Sequence, residues 1–303
     1  MSTKGDLVRY PWIIAIRPKT LPAAAAPVIT GTALAYADHS LDVVVAIACL
    51  LSALLLQIGS NLANDVFDYE RGADTGERLG PTRVTQAGLL TPFQVKVGMY
   101  FVFGLTVVLG LYLTWIGGWV ILILGVAAIL SAIAYTGGPY PLGYHGYGDI
   151  FVFIFFGLGA TAGTYYLQAG VIMPSVWWMA SALGCLIVSI LVVNNLRDIE
   201  NDRKVHKMTM AVRLGVKWSL YEYYVMVLTA YFIPVILWVI KISPPWGILT
   251  WLSFPYAFYW MKFIRRTTGK ALNKALAGTG KVALIYATLY ALGMVLSVVS
   301  KIP

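Results

Sequence analysis

Two oxygen-rich stretches interrupt an otherwise apolar chain. The first, NLANDVFDYERGAD (61–74), carries Asn61, Asn64, Asp65, Asp68 and Asp74. The second, VVNNLRDIENDRKVHK (192–207), carries Asn194, Asn195, Asp198, Glu200 and Asp202, followed by Arg203, Lys204 and Lys207. Asn64 and Asp68 are spaced i, i+4, as are Asp198 and Asp202, so on a helix each pair stacks on one face a turn apart. Carboxylates at a helix C-terminus oppose the macrodipole, and something positive must compensate them. Solvated loop acids are the plain alternative. Two matching sets, each beginning with amides and followed by Arg and Lys, favour a ligand.

The ligand chemistry that fits is Mg2+ holding a diphosphate. Mg2+ takes hard oxygen donors and is usually held by a few carboxylates together with substrate phosphates. Carboxylates alone would repel such an anion, whereas Arg78, Arg83, Arg197, Arg203 and Lys207 supply the opposite charge. The candidate ligands are the two stacked sets, Asn64 with Asp68 and Asp198 with Asp202. Zinc fits poorly, because His39, His145 and His206 show no paired spacing. Cys49 and Cys185 read as small core residues, neither disulfide nor metal ligands.

The elements that must carry these residues are membrane helices. The 303 residues are 59% hydrophobic and 12% charged, with a mean hydropathy of +0.76, against roughly 25% charged in soluble domains. Nine apolar runs lie near 21–37, 41–64, 93–116, 118–136, 149–170, 174–196, 219–240, 246–264 and 281–300. Each approaches the roughly 20 residues a bilayer crossing needs. The expected fold is an all-α polytopic membrane protein with nine transmembrane helices. The net charge of +9 does not point to nucleic acid, because 20 of the 22 Lys and Arg fall on one side when the loops are assigned alternately. The positive-inside rule then puts the N-terminus and both acidic clusters at the cytoplasmic side. Residues 1–303 read as a single domain of two weakly related halves, roughly 12–140 and 141–303, each with an acidic cluster closing an outward-to-inward helix.

The pattern N-x-x-x-D-x(5)-D at Asn64, Asp68 and Asp74, with D-x-x-x-D at Asp198 and Asp202, resembles the UbiA superfamily of intramembrane aromatic prenyltransferases. RPKTLPAAAAPVITGTALA (17–35), the stretch 61–88, YTGGPYPLGYHGYGD (135–149) and NNLRDIENDRKVHKMTMAVRLG (194–215) are similar to the branch that prenylates 1,4-dihydroxy-2-naphthoate in menaquinone synthesis. The resemblance implies a UbiA-like bundle in the plasma membrane, with an active site opening to the cytoplasm. It also implies transfer of a polyprenyl group from polyprenyl diphosphate, with loss of CO2, to give a demethylmenaquinol. The catalytic set would be Asn64, Asp68, Asp198 and Asp202, with Asp74 joining them as metal ligands. Substrate contacts would come from Asn61, Arg83, Tyr135, Asn195, Arg197, Lys207 and Lys19, with Arg17 beside Lys19. Asp65 ranks behind Asp68 as a ligand. Gly143 stands where several superfamily members carry Lys, which leaves that charge to Lys207 or Arg83. Other acceptors within the superfamily (4-hydroxybenzoate, homogentisate, a haem or a glycerol ether) are the nearest rivals. A cation transporter is the rival from another class, although the middle of each run is almost free of charge.

Overall fold

Helix ends in this chain are set by local side chains. Asp42 Oδ1 accepts the Val44 and Val45 amides at 2.9 and 3.0 Å, satisfying donors that a helix start leaves unpaired. Thr91 and Gln94 form a capping box ahead of Pro92, and Thr209 accepts from the Val212 amide. The computed structural model describes residues 10–73 and 79–300, and all regular structure among them is helical.

The short α1 (Pro11–Ile16) and a 3-10 turn lead into α2 (Pro22–Ala37). Then follow α3 (Val43–Glu70), α4 (Pro92–Ala134), α5 (Gly148–Ala169), α6 (Pro174–Lys204), α7 (Met210–Val239), α8 (Phe254–Arg265) and α9 (Leu272–Ser300). Six helices among the described residues are individually long and apolar enough to cross a membrane. The segment before α2 and α2 itself are bent by 49° and make a seventh candidate.

Two expected runs, 93–116 and 118–136, fall in α4, whose 43 residues would measure about 65 Å if straight, twice a bilayer core. The helix breaks at Gly118, with φ 69° and ψ −159°, a region open essentially to glycine alone. The run near 246–264 does not form one uniform helix. Its first part is a 3-10 segment, Pro245–Ser253, and only Phe254–Arg265 is α-helical. Pro244 and Pro245 start the segment and Pro255 falls at the helix start, where a missing amide is tolerated.

The core centres on α6. Leu183, Leu186 and Val193 are fully buried there, packed with Tyr223 and Tyr231 of α7 and Tyr286 of α9. The outer surface is apolar instead of polar, with Phe93, Trp115 and Trp119 at least 72% exposed. That pattern suits lipid as the surrounding solvent. In α5, residues Phe153–Gly159 form a π-helical segment. A Cβ on Gly157 would strike the backbone of Gly184 in α6, so two glycines let these helices meet backbone to backbone.

Candidate active site

The first acidic cluster ends α3 and the second ends α6, 134 residues later by Asp68 and Asp202. Both face one cavity of about 270 Å³. Asn61, Asn64 and Asp68 line it from α3, and Asn195, Asp198 and Asp202 from α6. Arg83, Tyr135 and Lys207 complete the polar wall. Asp74 and Arg78 lie outside the described residues.

Asp65 and Asp68 have different surroundings. Asp65 is buried and accepts the Val84 and Thr85 amides at 3.1 and 3.0 Å; Arg17 approaches it at 3.8 Å. It therefore anchors the backbone of the loop that carries Arg83. Arg83 in turn donates to Asp68 Oδ2 at 2.6 Å, with both side chains about 95% buried. Tyr144 donates to the other oxygen, Oδ1, at 2.9 Å.

In the second cluster, Arg197 donates to both oxygens of Asp198, at 2.9 and 2.5 Å. It also donates to Asn194 and Asn273, and Asn273 donates to the Leu79 carbonyl at 2.7 Å. Arg197 thus ties α6 to α9 and to the loop after α3, and it lies behind the cavity wall. Among the described residues, no side chain donates to the Asp202 carboxylate, which lines the cavity.

Tyr135 caps α4 with its ring in the cavity wall. Asp149, Asp202 and Asp68 all lie within electrostatic reach of its phenol. A Cβ on Gly143 would come within 2.9 Å of the Tyr135 ring, and one on Gly148 within 2.8 Å of its hydroxyl. A side chain at 143 would therefore displace Tyr135. Lys19, expected to meet substrate, is exposed and outside the cavity lining. The left-handed turn at Arg17, φ 54°, directs the chain so that Arg17 and Thr20 line the cavity instead.

Three participants carried no distinguishing sequence signal. Tyr144 is one of four tyrosines in the block 135–149. Thr136, which donates to Asn64 at 2.9 Å, and Asn273 lie apart from either acidic cluster.

The donor set is carboxylate and amide oxygen, the preference of a hard cation. Among the described residues, no group of three acids, histidines or cysteines closes on one ion. A bound cation would need further oxygens, which a phosphate can provide. Beyond the polar end, a second, apolar cavity of about 190 Å³ shares Ala53, Leu56, Ala128, Phe155 and Ala160 with the first. Its far wall includes Val107, Leu111, Leu122 and Val126 of α4, all at least 41% exposed on the lipid-type surface.

The UbiA prenyltransferase family profile matches residues 24–287. The chain belongs to that family. It is an integral membrane prenyltransferase of the UbiA type. The 1,4-dihydroxy-2-naphthoate octaprenyltransferase of Escherichia coli is 38% identical, over 94% of this chain and 95% of that protein. The protein of the same name from Mycobacterium tuberculosis is 36% identical, over 91% and 94%. The solved structure of a UbiA homolog from Archaeoglobus fulgidus bound to GPP and Mg2+ aligns with a TM-score of 0.67 at 14% identity, covering 94% of this chain and 99% of that one. A structure of digeranylgeranylglyceryl phosphate synthase aligns at 0.60 and 20% identity, covering 95% and 99%. These distant likenesses describe the UbiA fold.

Proposed function

We propose that this UbiA enzyme transfers a polyprenyl group from polyprenyl diphosphate to 1,4-dihydroxy-2-naphthoate, with Mg2+ as cofactor and loss of CO2, giving a demethylmenaquinol. The observation that carries the reading is the cavity walled by both acidic clusters, with an apolar cavity beside it that shares lining residues with it. It accommodates a substrate with a charged head and a greasy tail. The names of the naphthoate relatives support the acceptor.

Asn64, Asp68, Asp198 and Asp202 would hold the metal, with Asp74 of the same stretch. Bound there, Mg2+ would supply Lewis-acid neutralisation of the diphosphate. Arg83 and Lys207 present donors to the same anion, stabilising the charge that builds on the bridging oxygen as the carbon–oxygen bond breaks. Asn195 offers a neutral amide at the same wall, whereas the Asn61 amide donates to the Ile16 carbonyl and to Thr20 and so holds the segment before α2 against α3. Arg197 acts from behind by fixing Asp198. The allylic cation forms in a cavity that Phe151, Phe155 and Tyr135 border. An aromatic face contributes about 0.5–2 kcal/mol toward a cation, and the apolar walls keep water from capturing it. Arg17, which lines the cavity, would attract the acceptor's carboxylate. The ring carbon bearing that carboxylate attacks, the new carbon–carbon bond forms, and CO2 leaves with its bonding electrons returned to the ring. No strong base is required at that carbon.

The charge asymmetry further supports nine crossings of the plasma membrane, the N-terminus in the cytoplasm and the site opening there. The test uses purified protein with carboxyl-labelled naphthoate and a polyprenyl diphosphate. Labelled CO2 and diphosphate should appear together, only with Mg2+. Asp68→Ala and Asp202→Ala should each lower the rate about 100-fold or more. Turnover that persists in excess EDTA would remove the metal–diphosphate reading.

A further inference from the structure

Tyr144 touches groups from both halves of the cavity. It lies in the 3-10 turn Leu142–His145, between α4 and α5. That connection is fastened on two sides. Arg71, at the end of α3, donates to the Thr136 carbonyl at 2.9 Å and to the Gly138 carbonyl. On the other side the Met208 amide donates to the Tyr144 carbonyl at 2.9 Å, and Arg213 donates to the His145 carbonyl at 3.0 Å. The turn therefore bridges the end of α3 and the α6–α7 connection. These fastenings are made to backbone carbonyls of the connection and do not involve the tyrosine side chain.

Among the described residues, the hydroxyl and the ring face meet different groups. The hydroxyl donates to Asp68 Oδ1 at 2.9 Å. The ring face lies 5.1 Å from Lys207 Nζ and 5.6 Å from the Arg71 guanidinium. The first contact fixes which way the Asp68 carboxylate points. Groups that hydrogen-bond a metal ligand in this way raise affinity about 10–100-fold. The second contact holds an ammonium that lines the cavity, by attraction to the ring quadrupole.

We propose that Tyr144 is a positioning residue with two separable tasks: its hydroxyl orients Asp68 for the metal, and its ring holds Lys207 for the diphosphate. This rests on the metal–diphosphate reading above. A residue that merely filled space would couple the two tasks, because any disturbance of packing would move both groups together.

The test reads binding, not turnover. Mn2+ binding to the purified full-length protein in lipid nanodiscs is followed by electron paramagnetic resonance. Inorganic pyrophosphate is then titrated into Mn2+-saturated protein. Tyr144→Phe keeps the ring and should weaken Mn2+ about 10-fold, with pyrophosphate affinity unchanged within twofold. Lys207→Gln should do the reverse, leaving Mn2+ binding as tight or tighter, since a neighbouring positive charge is removed, and weakening pyrophosphate about 5-fold or more. Tyr144→Leu should show both losses. If Tyr144→Leu does not fold, the other two variants carry the test alone. Unaltered Mn2+ binding in Tyr144→Phe, or parallel loss of Mn2+ and pyrophosphate in that variant, overturns the proposal. The underlying reading fails differently: the unsubstituted protein would bind no Mn2+, or Asp68→Asn and Asp202→Asn would bind it as well as the parent.

Discussion

Aspartates of one type serve opposite ends in this site, and their surroundings decide which. Asp65 accepts two buried amides and holds a loop in place. Asp202 faces the cavity with no described side chain donating to it. Removing an acceptor strands its donors at about 1–3 kcal/mol each. Asp65→Ala should therefore lower the melting temperature in detergent clearly. Asp202→Asn should leave it unchanged or raise it while abolishing prenyl transfer, since a carboxylate with no described side-chain donor in a partly dry cavity costs stability in the resting fold. Loss of stability in both variants alike would contradict this division. The sequence showed both acidic sets, their i, i+4 stacking and the cations beside them. It ranked Asp65 behind Asp68 as a ligand but did not show what Asp65 does instead, because only the path of the following loop brings the Val84 and Thr85 amides to it. Nor did it single out Tyr144: among the four tyrosines of 135–149 it chose Tyr135, and only the folded turn brings the Tyr144 hydroxyl to Asp68. Arg17 and Lys19 were likewise equivalent on paper. A left-handed backbone at Arg17 separates them.

At the level of elements, apolar run length and glycine–proline punctuation made most helices readable. The runs 93–116 and 118–136 part at position 117, and the structure places a glycine with positive φ next to it, at Gly118. What composition does not specify is how a run winds. The run 246–264 is as apolar as its neighbours, yet prolines at 244, 245 and 255 divide it into a 3-10 segment and a short helix. Gly118 offers a direct check. Gly118→Ala should cost on the order of 1–3 kcal/mol and lower the melting temperature. Gly104→Ala, in the same helix with nothing within 4 Å of the added carbon, should be neutral or slightly stabilising. Equal effects at the two positions would mean that the break does not depend on glycine.

Across the whole molecule, the placing of the 22 Lys and Arg against 13 Asp and Glu is the basis of the proposed orientation, which can be tested directly. Lys241 follows α7 at one face, and Lys270 precedes α9 at the other. With Cys49 and Cys185 replaced by Ala, Lys241→Cys should react with a membrane-impermeant maleimide in intact cells. Lys270→Cys should react only after the cells are opened. The reverse pattern would invert the assigned orientation. Opposing clusters so distant in sequence were readable as one site because charge and topology placed both at the same face. The adjoining apolar compartment was not readable, because its walls come from residues that in sequence look like any other lipid-facing positions.

The exposed α4 residues bordering that compartment set how the enzyme meets its reactants. A donor whose tail enters sideways is drawn from a two-dimensional pool, and its product returns to the same pool. The concentration that governs encounter is then mole fraction among lipids, not molarity. Diluting the bilayer with inert phospholipid at constant bulk donor should slow the reaction as if substrate had been withdrawn.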